Sequence, residues 1–264
     1  MKKFVSAFLV LVFLFANCVA SYATVETSYE FPTAGTCYVE PENDAFSAGS
    51  GPRGGRAATR EQLEAISKLP KEVLTKEQLQ RKSEFTSSGQ TRANWIWLSG
   101  YIVYSQSTEA NCGPACIQSA LKYLTGSAPA QSVVARACNT TQSGVNMGTY
   151  VYDMVVYINS MQTRHTYRQC SYLSQDTFTE FLHTGITAYN APPIIGMWLD
   201  PDDGWAYEAS SHFMSVYGAM SDESMFALSD PWIGYAGITE VGWSYAMPAN
   251  IIYDAYNLIV GMMY

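Results

Sequence analysis

Gln106-Ser-Thr-Glu-Ala-Asn-Cys112-Gly-Pro-Ala-Cys-Ile117 decides how the rest of the chain is organised. Pro114 suits the first turn of a helix, where its missing N–H would have no intrahelical acceptor. Ile117, Ala120, Leu121 and Leu124 then recur at helical spacing, and Gly126 suits the helix end. The spacing predicts a helix over 114–124 with Cys112 just ahead of it. The nucleophilic form of a cysteine is the thiolate, which is scarce at neutral pH in an ordinary thiol of pKa about 8.5. A helix N-terminus and a protonated histidine both stabilise that anion. Cys112 is therefore a candidate nucleophile, and Gly113 would let a substrate backbone approach it. The plainer alternative is a structural thiol or half of a disulfide. Gln106 lies six residues before Cys112. A short loop can fold its amide over the cysteine, where it and the Cys112 N–H would stabilise an oxyanion.

The chain has three histidines, so the choice of a base is small. His165 lies in the polar stretch Thr163-Arg-His-Thr-Tyr-Arg168 and is expected to be solvated. His183 ends a predicted helix, where it can interact with the helix dipole. His212 opens the apolar run His212-Phe-Met-Ser-Val-Tyr-Gly218. A turn at Ser221-Asp-Glu-Ser224 and a second run, Met225–Ser229, lead to Asp230-Pro231. Two strands of a hairpin with this spacing return Asp230 to His212. The carboxylate would then orient the imidazole toward Cys112. Taken singly, His212 could be a satisfied core histidine and Asp230 a turn residue before proline. The ordered set of nucleophile, base, orienter and amide makes that joint reading improbable.

Outward from this set, the chain divides into three parts. Met1-Lys-Lys, the apolar run Phe4–Phe15 and a small-residue exit have the layout of a secretory signal peptide over residues 1–23, of a bacterial kind. The run is too short to span a membrane comfortably, and no later stretch is long and apolar enough. The mature chain is expected to be secreted, cell-surface or periplasmic. Cys18 as a lipid-modified cysteine is a lesser alternative, disfavoured by Asn17. The whole chain carries a net charge of −8. Loss of Lys2 and Lys3 leaves thirteen basic against twenty-three acidic residues, which disfavours nucleic-acid and anionic-membrane partners. Residues 24–93 read as a flexible, partly helical extension. Ser47–Arg56 is rich in Gly, Ser and Pro. Thr59-Arg-Glu-Gln62 resembles a capping box before Leu63, Ile66 and Leu69, and a short helix is predicted over 75–82 with Leu79 on its apolar side. This extension is a candidate propeptide or a surface-packed amphipathic segment.

Residues 94–264 make one domain of about 170 residues. Trp95–Leu98 and Tyr101–Tyr104 are strand-like. Helices are predicted over 149–161 and 177–184, and apolar strand-like runs at 194–198, 212–217, 225–228 and 251–258. Helices first and strands afterwards predict an α+β domain. Five cysteines follow the signal, an odd count that leaves one thiol unpaired. Cys116–Cys138 is the preferred disulfide, with Cys37–Cys170 or two thiols as the remainder; burial of all four as small apolar residues is the alternative. Gly54-Gly55 is a double glycine and a candidate site for self-maturation by Cys112, with a linker role favoured. Trp198, Asp202, Asp203, Trp205 and Tyr207 form an aromatic-acidic loop expected to border a substrate cleft. Asp200-Pro-Asp-Asp lacks a complete calcium loop, and no zinc spacing or nucleotide-binding glycine loop is present, so no metal or cofactor is expected.

Asn111-Cys-Gly-Pro-Ala-Cys116 with Gln106 upstream, and His212 with Asp230 downstream, resembles the papain-fold cysteine peptidases. It is most similar to stand-alone relatives of the bacteriocin-processing double-glycine peptidases, and Gly144-Val-Asn-Met-Gly-Thr149 shares in this. The similarity covers about residues 95–240. It implies an N-terminal helix bearing the nucleophile packed on an antiparallel sheet. It also implies Cys112 as nucleophile, His212 as base, Asp230 as orienter and Gln106 in the oxyanion hole, with a peptide or protein substrate. The transporter to which the bacteriocin-processing enzymes are fused has no counterpart here. A thiol-dependent transpeptidase or cell-wall amidase on the same scaffold would differ by amine-dependent product. A silent binding protein would bind a ligand equally well after Cys112→Ala, without turnover. The sequence leaves cleavage preference and oligomeric state open.

Overall fold

The twelve-residue strand that carries His212 is the axis of the sheet. The computed structural model describes residues 54–56, 59, 61–62, 74–86, 93–232, 244–256 and 260–264. The signal-peptide residues, Cys18, Cys37 and the 63–69 spacing lie outside them. In chain order the strands are β1 (Gly55–Arg56), β2 (Trp95–Trp97), β3 (Thr149–Tyr150), β4 (Gln169–Cys170), β5 (Ile194–Leu199), β6 (Ala209–Met220), β7 (Met225–Ser229), β8 (Ser244–Pro248) and β9 (Met262–Met263). The helices are α1 (Lys76–Thr86), α2 (Cys112–Thr125), α3 (Gln131–Ala137), α4 (Val151–Met161), α5 (Gln175–Thr184) and α6 (Ala249–Ala255). A π-helical turn, Gly185–Tyr189, extends α5.

Seven strands form one sheet in the order β4-β9-β5-β6-β7-β8, with β2 also paired to β6. Every pairing in this sheet is antiparallel. β6 is thus flanked by β7 on one side and, on the other, by β5 over its first half and β2 over its last three residues. Phe213, Val216 and Ala219 on β6 are fully buried, as are Ile194, Ile195 and Met197 on β5. Helix α2 packs on β6, where the Cys116 thiol donates to the Phe213 carbonyl at 3.4 Å. The expected α+β arrangement, a nucleophile-bearing helix against an antiparallel sheet, is the one found.

Most predicted elements occur, with shifted ends. Helix α2 begins at Cys112, two residues earlier than Pro114, and closes on Gly126 in the left-handed conformation at φ 77°. The capping-box pattern at Thr59 is formed, with Thr59 N–H donating to Gln62 Oε1 at 2.8 Å. Thr75 and Gln78 form the same pattern at the start of α1. That helix docks through Arg81 Nε, which donates to the Thr187 carbonyl at 2.7 Å, and through Lys82, paired with Glu180 at 3.2 Å.

Two expected strands are absent. Residues 101–104 form no strand, because Gly100 turns the chain at φ 81° and the Tyr101 ring stacks on Tyr217 at 5.7 Å. The apolar residues that suggested a strand serve side-chain packing there. The run starting at Ile251 is helical in α6. Ile252 and Ala255 face inward, three residues apart, after Pro248 has closed β8. Helix α3 has no clear sequence signal, since its Val133-Val134 pair suits a strand equally well.

Candidate active site

Three elements converge on Cys112. It is the first residue of α2 and is fully buried. His212 lies on β6, and Asp230 directly follows β7, its hairpin partner. His212 Nε2–H donates to Asp230 Oδ1 at 2.8 Å, with both side chains fully buried. Two further donors complete the carboxylate: the Trp232 N–H reaches Oδ1 at 2.8 Å and the Tyr207 hydroxyl reaches Oδ2 at 2.7 Å. Burial pushes Asp230 up, but the His212 charge and these donors outweigh it and hold the carboxyl below its ordinary range. The remaining His212 nitrogen, Nδ1, has no hydrogen-bond partner among the described residues.

The imidazole is held charged. Burial alone would lower His212, but Asp230, and then the neighbouring Cys112, raise it to about 9. The other two histidines go the opposite way. His165 is buried and stacked on Tyr189 at 4.4 Å, contrary to the solvated position expected for it. Its polar neighbours in sequence pointed outward, but the ring fills an aromatic slot. Burial lowers it to about 4. His183 lies 3.2 Å from Glu223, yet burial and then Lys82 lower it to about 4, so that contact is to a neutral ring.

A raised histidine contributes stability that is complete below its unfolded pKa near 6.5 and is lost as pH rises through about 9. His165 and His183 contribute in the opposite sense, from 6.5 upward, and lose their contribution as pH falls through about 4. The stability gap between wild type and His212→Gln should therefore narrow by about 1 kcal/mol from pH 7.5 to 8.5. Urea unfolding at the two pH values reads it, and a constant gap would mean that His212 is not held charged.

Gln106 is buried, and its main-chain N–H donates to the Pro231 carbonyl at 2.7 Å, which ties its loop to the residue after Asp230. Its side chain is turned into its own loop. Nε2 donates to the carbonyls of Thr108 at 2.8 Å and Glu109 at 3.2 Å, and Oε1 has no partner among the described residues. The structure thus brings Cys112, His212 and Asp230 together, while the Gln106 amide is bonded elsewhere. Gly113, expected to admit a substrate, faces the core instead. A Cβ there would lie 3.0 Å from the Met154 sulfur and 3.1 Å from the Phe213 ring.

Several further expectations are corrected. Trp205 is buried. Trp198 is partly exposed, and Asp202 and Asp203 sit in an exposed 3-10 turn. Tyr207, noted only as a loop aromatic, instead supports Asp230, a role that no local pattern signals. Cys116–Cys138 is not a disulfide. Both thiols are free and buried on different helical segments, and burial pushes both up, Cys138 to about 12. Cys170 is buried in β4, and its suggested partner Cys37 lies outside the described residues. Among the described residues no cluster of three or more His, Cys, Asp or Glu is arranged for a metal, and no helix is long and apolar enough to cross a membrane.

The cleft above Cys112 contains the chain's own residues 54–56. Gly54 N–H donates to the Ser211 carbonyl and accepts at its own carbonyl from Thr149 N–H, each at 2.6 Å. β1 runs parallel to β3, pairing Gly55 with Thr149 and Arg56 with Tyr150.

Among the solved structures that resemble this chain are two peptidases. The peptidase domain of Streptococcus ComA, a bifunctional ABC transporter involved in a quorum-sensing pathway, is 16% identical with a TM-score of 0.43, over 62% of this chain and 96% of that one. Xylellain, a cysteine protease from Xylella fastidiosa, is 10% identical with a TM-score of 0.49, over 73% of this chain and 89% of that one. At these identities the likeness is one of chain course alone. No protein-family model and no curated protein matches the chain.

Proposed function

We propose that the chain is an exported papain-like cysteine peptidase in which Cys112, His212 and Asp230 act as a triad. The observation that carries this reading is the series from half-buried Tyr207 through buried Asp230 and His212, which ends on an unpartnered Nδ1 beside a thiol at a helix start. With Asp230 fixing the Nε2–H tautomer, Nδ1 is left to exchange a proton with Cys112. The Cys112 sulfur attacks the peptide carbonyl carbon, and the electron pair of the C=O bond moves to oxygen. Collapse expels the amine, which takes its proton from His212 Nδ1, and leaves a thioester. Water, deprotonated by the now neutral His212, releases the acid and restores the thiol. The Cys112 and Gly113 N–H groups, ahead of the first intrahelical bond from Ala115 to the Asn111 carbonyl, can stabilise the oxyanion. Gln106 adds a donor once its amide turns from Thr108 and Glu109. No cofactor takes part in these steps, but Cys112 must be reduced.

Site-resolved iodoacetamide labelling of the reduced full-length chain tests the reading. Cys112 should label in preference to Cys116 and Cys138 at pH 6.5, because the His212 imidazolium beside it favours its thiolate whereas burial pushes the other two thiols up. His212→Ala should slow Cys112 labelling at least about tenfold, because the thiolate loses its counter-charge. Equal rates in the two proteins would sink the triad.

A further inference from the structure

We propose that Gln131, the first residue of α3, is a positioning residue for the oxyanion site: it holds the backbone on both sides of Gln106 and ties that loop to the helix bearing Cys112. The proposal rests on the peptidase reading above and goes beyond it, since Gln131 lies outside the triad and acts through Gln106.

The side-chain amide of Gln131 does the work of a neighbouring strand. Its Oε1 accepts from the Ser107 main-chain N–H at 2.6 Å, and its Nε2 donates to the Ser105 carbonyl at 3.1 Å. These residues flank Gln106, so one carboxamide brackets it. The partners fix the sense of the amide, because a main-chain N–H only donates and a carbonyl only accepts. The Gln106 N–H is held separately by the Pro231 carbonyl at 2.7 Å. With its backbone tied at all three points, Gln106 can turn its amide from Thr108 and Glu109 by side-chain torsions alone. Gln131 Nε2 also donates to Gln118 Oε1 at 3.2 Å, and Gln118 is a residue of α2 that donates onward to the Pro129 carbonyl at 2.9 Å. Loop and nucleophile helix are thereby set against each other.

A second clip starts from Asn111, the residue before Cys112. An asparagine at this N-cap position ordinarily accepts from the first turn of its helix. Here its side chain makes no cap. Nδ2 donates instead to Ser107 Oγ at 2.9 Å, and that hydroxyl donates to Gln131 Oε1 at 2.7 Å. Oδ1 accepts from Gln142 Nε2 at 2.9 Å, and Gln142 Oε1 accepts from the Thr108 hydroxyl at 2.8 Å. The cap side chain is thus spent on the loop and leaves the Gly113 N–H to the oxyanion. Gln131 is buried and Gln142 exposed, so water replaces the bonds of Gln131 less readily.

Gln131→Met keeps the side-chain length and removes these bonds. Hydrogen exchange of the full-length chain should rise over residues 105–111 while α2 stays protected, because Ser107 loses its acceptor. The kcat of peptide hydrolysis should fall by about tenfold or more, up to the roughly hundredfold of deleting an oxyanion donor, with KM changed by less than about twofold. Iodoacetamide alkylation of Cys112 forms no oxyanion and should keep the wild-type rate. In a Gln106→Ala chain, Gln131→Met should cost less than about threefold, because the group it positions is gone. Gln142→Ala should act in the same direction more weakly, and it carries the test if Gln131→Met does not fold. Unchanged exchange over residues 105–111 would overturn the bracket. Equal losses of kcat with and without the Gln106 amide would overturn the positioning role. Absence of hydrolysis in the wild type counts instead against the peptidase reading, and exchange alone then decides the bracket.

Discussion

Peptide hydrolysis by the reduced full-length chain is expected to fall at least about 10⁴-fold when Cys112 is replaced by alanine. His212→Ala should cost a similar amount, and the two together little more than either alone, because nucleophile and base act as one unit. The geometry gives the reason. The imidazole is fixed by a fully buried carboxylate on the adjoining strand, and its one unpartnered nitrogen lies beside the thiol. No other described histidine can replace it, since His165 and His183 are buried elsewhere and held neutral. Turnover of a mixed peptide library followed by mass spectrometry provides the measurement. Hydrolysis surviving Cys112→Ala at more than roughly a hundredth of the parent rate would remove the peptidase assignment.

Asp230→Ala should destabilise the fold by about 3–5 kcal/mol, a large part of the roughly 5–15 kcal/mol typical of a domain. The loss exceeds that of one hydrogen bond, because three donors are orphaned together: His212 Nε2, the Tyr207 hydroxyl and the Trp232 N–H. The histidine would also lose the charge that offsets its burial. Asp230→Asn separates shape from charge. Its carbonyl can accept from His212 and Trp232, and its amide can face the Tyr207 oxygen, so the stability loss should be the smaller of the two. Urea midpoints of wild type, Asp230→Asn and Asp230→Ala should fall in that order. Equal midpoints for Asp230→Ala and wild type would show that the carboxylate does not hold the hairpin end together.

The parts of the fold that were legible in the sequence are those set by local chemistry. Pro114 and Gly126 mark the ends of α2 because one lacks a donor and the other tolerates the left-handed cap. The hairpin joining His212 to Asp230 was legible because two short apolar runs flank a polar turn of the right length. What failed depended on distant neighbours. The apolar run at Ile251 suits a strand or a buried helix turn, and Pro248 with the core below selected the helix. His165 looked solvated because its sequence neighbours are polar, whereas Tyr167 and Tyr189 close over it in space. A cysteine pairing cannot be read from spacing, and Cys116 and Cys138 each found an apolar niche instead. The Gly54-Gly55 dipeptide was visible, but its approach to Cys112 depends on Ser211 and Thr149, which lie some hundred and fifty and ninety residues onward. Tyr207 could not have been assigned from sequence for the same reason.

The central position of β6 also has a dynamic consequence. A residue in a strand bonded on both sides exchanges its amide hydrogen only when the sheet itself opens, whereas a loop can open alone at lower free energy. His212, paired with Met197 of β5 in a strand that β7 joins from Ser215 onward, opens only with the sheet, and Gln106, on the loop before α2, can open alone. The two halves of the site therefore differ in their response to heat. On warming, the amide that would receive the oxyanion loses its place first, while the base is still locked in register with its carboxylate. Thermal inactivation would then begin as a reversible loss of alignment, well before the sheet melts.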